Sequence, residues 1–202
     1  MAHLPGMIKH RLEPLFAHPV YFTLDKYQVT QDEIEYILST KEKNSNVSND
    51  KKILVSLINL REWIESKVNI YCLDILKLRN VKPYITQSWI NFQEKGKDLH
   101  WHNHPNSFIS GAFHFQDKES PIVFKNFKNI FTLNPEVEEN NVFNSDNISY
   151  ATEKNSLILF PSSLWHRTET NNNQETRISL AFNTWLKGEL GDENDLNKLK
   201  VE

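Results

Sequence analysis

The stretch Leu99–Ser107 reads LHWHNHPNS and sets His100, His102 and His104 at alternate positions. In a strand, residues i and i+2 point the same way, so two or three of these imidazoles could face one cavity. Imidazoles gathered on one face suit a divalent transition metal and otherwise repel when protonated. The plainer reading is a solvated polar strand edge. His166 follows an apolar run and a proline turn in LILFPSSLWH. Eleven residues on, Arg177 and Ser179 open RISLAFN and share a strand face. A guanidinium in an apolar strand is costly unless it meets an anion, and its fork fits a carboxylate. The plainer reading of Arg177 is an ion pair with a protein Asp or Glu.

These residues need strands to hold them, and the texture of the chain provides them after Pro83. Eight short apolar or alternating runs follow, separated by turn residues: YITQSWINF, DLHWHNH, SFISGAFHF, PIVFKNF, NISYAT, SLILF, WHRTET and TRISLAFNTW. That spacing predicts an antiparallel sandwich or barrel over residues 83–186. Residues 1–82 are expected to form a helical support. TQDEIEYILST carries a capping box, Thr30 with Glu33, followed by an apolar face of Ile34, Ile37 and Leu38. From Ile53 to Leu78 apolar residues recur at helical spacing, which predicts one long amphipathic helix with a break near Asn69. Cys72 falls on its apolar face and reads as core rather than nucleophile. Residues 187–202 read as a polar, peripheral tail, so the chain is expected to be one domain of mainly β structure with flanking helices.

Bulk properties narrow the classes. The 202 residues suffice for one domain with an ample core, and 39% hydrophobic with 24% charged residues is ordinary for a globular protein. The net charge of -3 and the absence of a basic cluster argue against nucleic acid or an anionic membrane as general partners. No apolar run approaches the roughly 20 residues of a membrane span. A single cysteine fits a reducing, cytoplasmic setting. Met7 reads as a candidate natural start, with MAHLPG an extension.

Together, these residues resemble the 2-oxoglutarate- and iron(II)-dependent oxygenases over roughly Tyr84 to Trp185. That superfamily shows His-x-Asp/Glu, a distal His, and Arg-x-Ser some ten residues later. HNH (102–104), His166 and RIS (177–179) stand in those places. HNHPNSFISG also resembles an HxHPxSxxSG signature of one oxygenase group, and FPSSLWH with RISLAFN resembles its C-terminal half. The resemblance implies a double-stranded β-helix (jelly roll), with Fe(II) held by His102, His104 and His166. It also implies 2-oxoglutarate as co-substrate, O2 as oxidant, ascorbate as a supporting reductant, and C–H hydroxylation with release of succinate and CO2. Arg177 would hold the distal carboxylate of 2-oxoglutarate, with Ser179 adding a hydrogen bond. His114 stands where a tyrosine commonly shares that task, and Asn91 is a candidate for the carboxylate nearest the metal.

His104 departs from the superfamily, because it replaces the carboxylate ligand and leaves the site one unit more positive. Three readings follow from the departure: a three-His iron site, a His104 that does not ligate, or His100 and His102 as the pair. A cupin-like three-His dioxygenase without 2-oxoglutarate is the second functional reading, and a metal-free jelly-roll binding module is the third. The substrate is expected to be a small molecule or peptide, its access shaped by the loop from Phe127 to Asn147. The long helix could support a homodimer.

Overall fold

The computed structural model describes residues 13–43, 45–117, 121–126, 133, 135–192, 194 and 196–202. Met7 and residues 127–132 and 134 of the expected access loop lie outside them. No described helix is long and apolar enough to cross a membrane.

Two antiparallel sheets form the body of the protein. The larger joins β1 (Tyr21–Phe22), β7 (Ser156–Pro161), β4 (Ile109–His114), β9 (Arg177–Leu190) and β10 (Leu199–Val201) in that order, and β2 (Val81–Gln93) also pairs with β9. The smaller runs β3 (Leu99–His102), β8 (Trp165–Thr168), β5 (Ile122–Lys125), β6 (Asn147–Tyr150). All eight expected strands are present, in a mainly β architecture of the jelly-roll kind. The order interleaves early and late strands, so residues far apart in sequence become neighbours.

Strand alternation sorts the two faces of the larger sheet. Ile90, Phe92, Phe113, Leu157, Leu159, Leu180 and Phe182 face outward and pack with the helical layer through Ile37, Ile53, Leu60, Ile64 and Val68. Ile158 and Phe160 face inward and meet Ile122 and Phe124 of the smaller sheet. The rings of Phe124 and Phe160 are 5.2 Å apart across that gap. Gly111 on β4 is needed for close approach, since a Cβ there would lie 2.3 Å from Cζ of Phe182.

The helical layer is more broken than the apolar periodicity predicts. A 3-10 turn (Ile53–Val55) precedes α2 (Ile58–Asn69), which passes directly into a π-helical turn (Ile70–Ile75). There the amide of Leu76 donates to the carbonyl of Tyr71, five residues back. The wider turn keeps Tyr71 and Cys72 buried, and the Tyr71 hydroxyl donates to the carbonyl of Pro19 at 2.7 Å. Burial pushes the Cys72 thiol up to about 11, as expected of a core cysteine. In α1 (Gln31–Ser39) the capping box forms: the Glu33 amide donates to Thr30 Oγ1, and the Thr30 amide donates to the Glu33 carboxylate. Its expected apolar face is only partly used, since Ile37 is buried while Ile34 and Leu38 are exposed. The face that packs inward runs through Glu33, whose carboxylate also accepts from the Tyr27 hydroxyl.

Strands at both chain ends add to the expected helical support and polar tail. β9 continues to Leu190, and β10 folds back on it with Leu199 opposite Leu190. β1 pairs with β7. Two- and three-residue strands with exposed side chains leave too little periodicity to be seen in sequence.

Candidate metal centre and polar inner face

His102 ends β3 and pairs directly with His166 on β8. Their ring centroids are 4.3 Å apart, and that of His104 lies 5.0 Å from that of His166. One ring nitrogen from each of His102, His104 and His166 lies within 4.8 Å of the others. His166 is buried, with the rings of Phe160 and Phe124 against it. His100 is outside this group. It is exposed, and its strand register shifts between Leu99 and His102, so plain alternation does not carry it inward.

His104 arrives by a different route from that expected. The strand stops at His102, and the His104 amide donates to the carbonyl of Ser162 instead of extending the β3–β8 ladder. A tertiary loop contact, not strand parity, delivers its imidazole to the site.

In all three imidazoles Nδ1 faces oxygen. That of His102 donates to the carbonyl of His100 at 2.7 Å, that of His166 to the carbonyl of Leu164 at 3.0 Å, and that of His104 to Asn183 Oδ1 at 2.6 Å. A carbonyl accepts only, so the proton sits on Nδ1 and the lone pair is left on Nε2. This is how protein imidazoles are held when they ligate a metal. Burial disfavours protonation of all three rings: His166 is pushed down to about 3, and His102 and His104 are lowered as well. Neutral imidazoles with free Nε2 lone pairs form a donor set that fits iron, zinc, copper or nickel.

Below the histidines, the inner face of β2, β9 and β4 is laid out in rows. In the first row Asn183 pairs with Gln87 on one side and Ser110 on the other; in the second Ala181 pairs with Trp89 and Ala112; in the third Ser179 pairs with Asn91 and His114. Gln93 and Arg177 form the fourth. Successive rows are about 7 Å apart along the strands. In the second row alanines stand in the middle and at one edge, between two polar ends.

The far end is polar and deeply buried. Arg177 is 2% exposed and donates from Nη1 to Gln93 Oε1 at 3.0 Å. The Gln93 side chain also accepts from Thr168 and donates to the carbonyls of Lys97 and Glu169, so it is held firmly. His114 is 1% exposed, and among the described residues neither of its ring nitrogens has a hydrogen-bond partner. Burial, together with the neighbouring Arg177 charge, pushes it down to about 3. Two unsatisfied polar atoms at such burial are costly unless a partner meets them. Ser179 stands beside His114, and Asn91 Oδ1 accepts from Trp89 Nε1 at 3.1 Å.

Sequence alone assigns no role to Gln93, Ser110 or Ser162. Gln93 shares strand parity with Trp89 and Asn91, Ser110 is a fixed position in HNHPNSFISG, and Ser162 lies in FPSSLWH. The hold of Ser162 on His104 is a loop contact, which those patterns do not show.

Comparisons with known proteins bear on the family and the fold. Residues 87–183 match a protein-family model described as "Putative 2OG-Fe(II) oxygenase". Among solved structures, an oxidoreductase of the 2OG-Fe(II) oxygenase family from Burkholderia pseudomallei superposes with a TM-score of 0.58 at 12% identity. That superposition covers 82% of this chain and 83% of the other. HygX from Streptomyces hygroscopicus, solved with nickel and 2-oxoglutarate bound, superposes with a TM-score of 0.53 at 11% identity over 76% of this chain and 75% of its own. At such identities the likeness is one of fold. No curated protein matches in sequence.

Proposed function

We propose that this chain, a member of the 2-oxoglutarate- and Fe(II)-dependent oxygenase superfamily, hydroxylates a C–H bond of a small-molecule or peptide substrate, with conversion of 2-oxoglutarate to succinate and CO2. The observation that carries the reading is the pairing of two sites between the two sheets. Three lone-pair imidazoles stand at one end, and the buried Arg177–His114 pair stands at the other.

His102, His104 and His166 would hold the iron, which when bound supplies oxygen activation coupled to oxidative decarboxylation. The Arg177 fork suits a distal carboxylate. Ser179 offers a further hydroxyl donor from the same row as His114. His114 stays neutral and can donate one N–H to the same carboxylate without adding charge. Ala181 and Ala112 leave the floor between the two ends open, so a short diacid could lie along β9. Asn91, in the third row, is the candidate for a carboxylate oxygen nearer the metal. Ascorbate would support turnover as a reductant.

The test is succinate release from 2-oxoglutarate by the iron-loaded protein with ascorbate, in the presence and absence of candidate substrates. A three-imidazole donor set also suits a cupin-like dioxygenase that uses no 2-oxoglutarate. If calorimetry on metal-loaded protein detects no 2-oxoglutarate binding, that second reading replaces the first. A protein that takes up no metal would instead be a binding module.

A further inference from the structure

We infer that Asn183 is a positioning residue for the metal centre: its carboxamide oxygen, from the opposite sheet, aims His104 at the ion in the place where the superfamily uses a carboxylate. The inference rests on the reading of His104 as a ligand. The rings of His102 and His166 are steered by carbonyls two residues earlier in their own chain segments, His100 and Leu164. Such contacts come with the local backbone. His104 has no such neighbour. Its Nδ1 meets Asn183 Oδ1, 79 residues away in sequence, at 2.6 Å, and Ser110 Oγ at 2.9 Å.

Asn183 is itself fixed from both sides. It lies in the middle of the first row, directly paired with Gln87 on β2 and Ser110 on β4. The Ser110 hydroxyl donates to Asn183 Oδ1 at 2.9 Å, and Asn183 Nδ2 points to Gln87 Oε1 at 3.5 Å. That polarity matters. The Ser110 hydroxyl donates to the same oxygen that faces His104, which keeps Oδ1 on that side, and an oxygen there places the imidazole proton on Nδ1. A flipped amide would face N–H toward Nδ1 and move the proton to Nε2, where it would block ligation. Ser110 is tied further to Ser162, and Ser162 to Ser107. The Ser162 carbonyl also holds the His104 backbone. Backbone and ring of His104 are therefore held by one connected polar group.

The test is calorimetry of Co(II) and Ni(II) binding to the metal-free protein, with the Co(II) absorption spectrum and the metal-free melting temperature recorded alongside. Asn183→Leu removes the acceptor at similar volume, and Asn183→Ser withdraws it from reach in case the leucine variant does not fold. Either should weaken metal binding about 10- to 100-fold, the usual effect of losing such a partner, and alter the Co(II) spectrum. Asn183→Asp keeps an oxygen at the same place and should bind at least as tightly as the parent. If the folded leucine or serine variant binds within about twofold of the parent with an unchanged spectrum, Asn183 does not position His104. If the aspartate variant is as weak as the leucine variant, the inference also fails. If the parent itself binds no metal, the functional reading falls and the inference with it.

Discussion

His102 and His166 face each other across one antiparallel pair, on β3 and β8, with ring centroids 4.3 Å apart. Cross-strand partners hold their Cβ atoms at about 5 Å, which is close enough for two imidazoles to share one ion without moving the backbone. One divalent ion per chain is therefore expected, measured by elemental analysis after metal loading. His166→Ala and His102→Ala should each abolish stoichiometric binding. Metal should raise the melting temperature of the parent but not of these variants, since only a folded site gains from the ion.

Arg177→Lys keeps the charge and loses the fork. The expected cost to 2-oxoglutarate binding is about 1.5 to 3 kcal/mol, or roughly ten- to more than a hundredfold in affinity. Calorimetry on metal-loaded protein measures it. Metal affinity should be unchanged, because Arg177 sits in the row farthest from His104.

The open floor makes a separate prediction. Ala112→Leu extends a side chain into the space between the histidines and Arg177, so it should suppress 2-oxoglutarate binding while sparing Co(II) binding. An undiminished 2-oxoglutarate affinity would place the co-substrate elsewhere.

His114 should make the metal-free protein sensitive to acid. Its folded value is about 3 against an ordinary 6.5, so between those limits the unfolded chain binds a proton that the folded chain does not. Stability therefore rises with pH through that window and is lost as pH falls below about 6.5, by up to about 1.4 kcal/mol per pH unit from this group. Denaturant titrations at pH 5 and pH 7 should show a smaller difference for His114→Phe than for the parent.

Gly111→Ala would drive a methyl against Phe182 and Leu159. Overpacking of this kind costs about 1 to 3 kcal/mol, so a lower melting temperature is expected. A companion Phe182→Leu change, which shortens the ring that is struck, should recover part of the loss.

Alternation made the strands legible in sequence, because a sheet with one face on helices and one on a polar lumen writes its period into the chain. Trp89 with Asn91, and Arg177 with Ser179 and Asn183, share faces as their spacing required. Contacts made through loops wrote no such period. His104 reaches the centre only because Ser162 holds its backbone, and Asn183 meets it from 79 residues away. The breaks around α2 were partly legible. A change near Asn69 could be read from the drift of apolar positions, whereas the 3-10 turn at Ile53 could not.

β9 carries Arg177, Ser179, Ala181 and Asn183 on one face and Ile178, Leu180 and Phe182 on the other. It therefore works as a ruler as well as a wall. Its residue count sets the separation between the guanidinium and the amide behind His104. One residue added between Ser179 and Ala181 would do more than lengthen that span: it would rotate one end of the strand by half a turn relative to the other. Either the arginine or the asparagine would then be thrust among the helices, and a leucine or phenylalanine would enter the lumen. Evolution of this site can exchange side chains along β9, but insertions and deletions there must come in pairs.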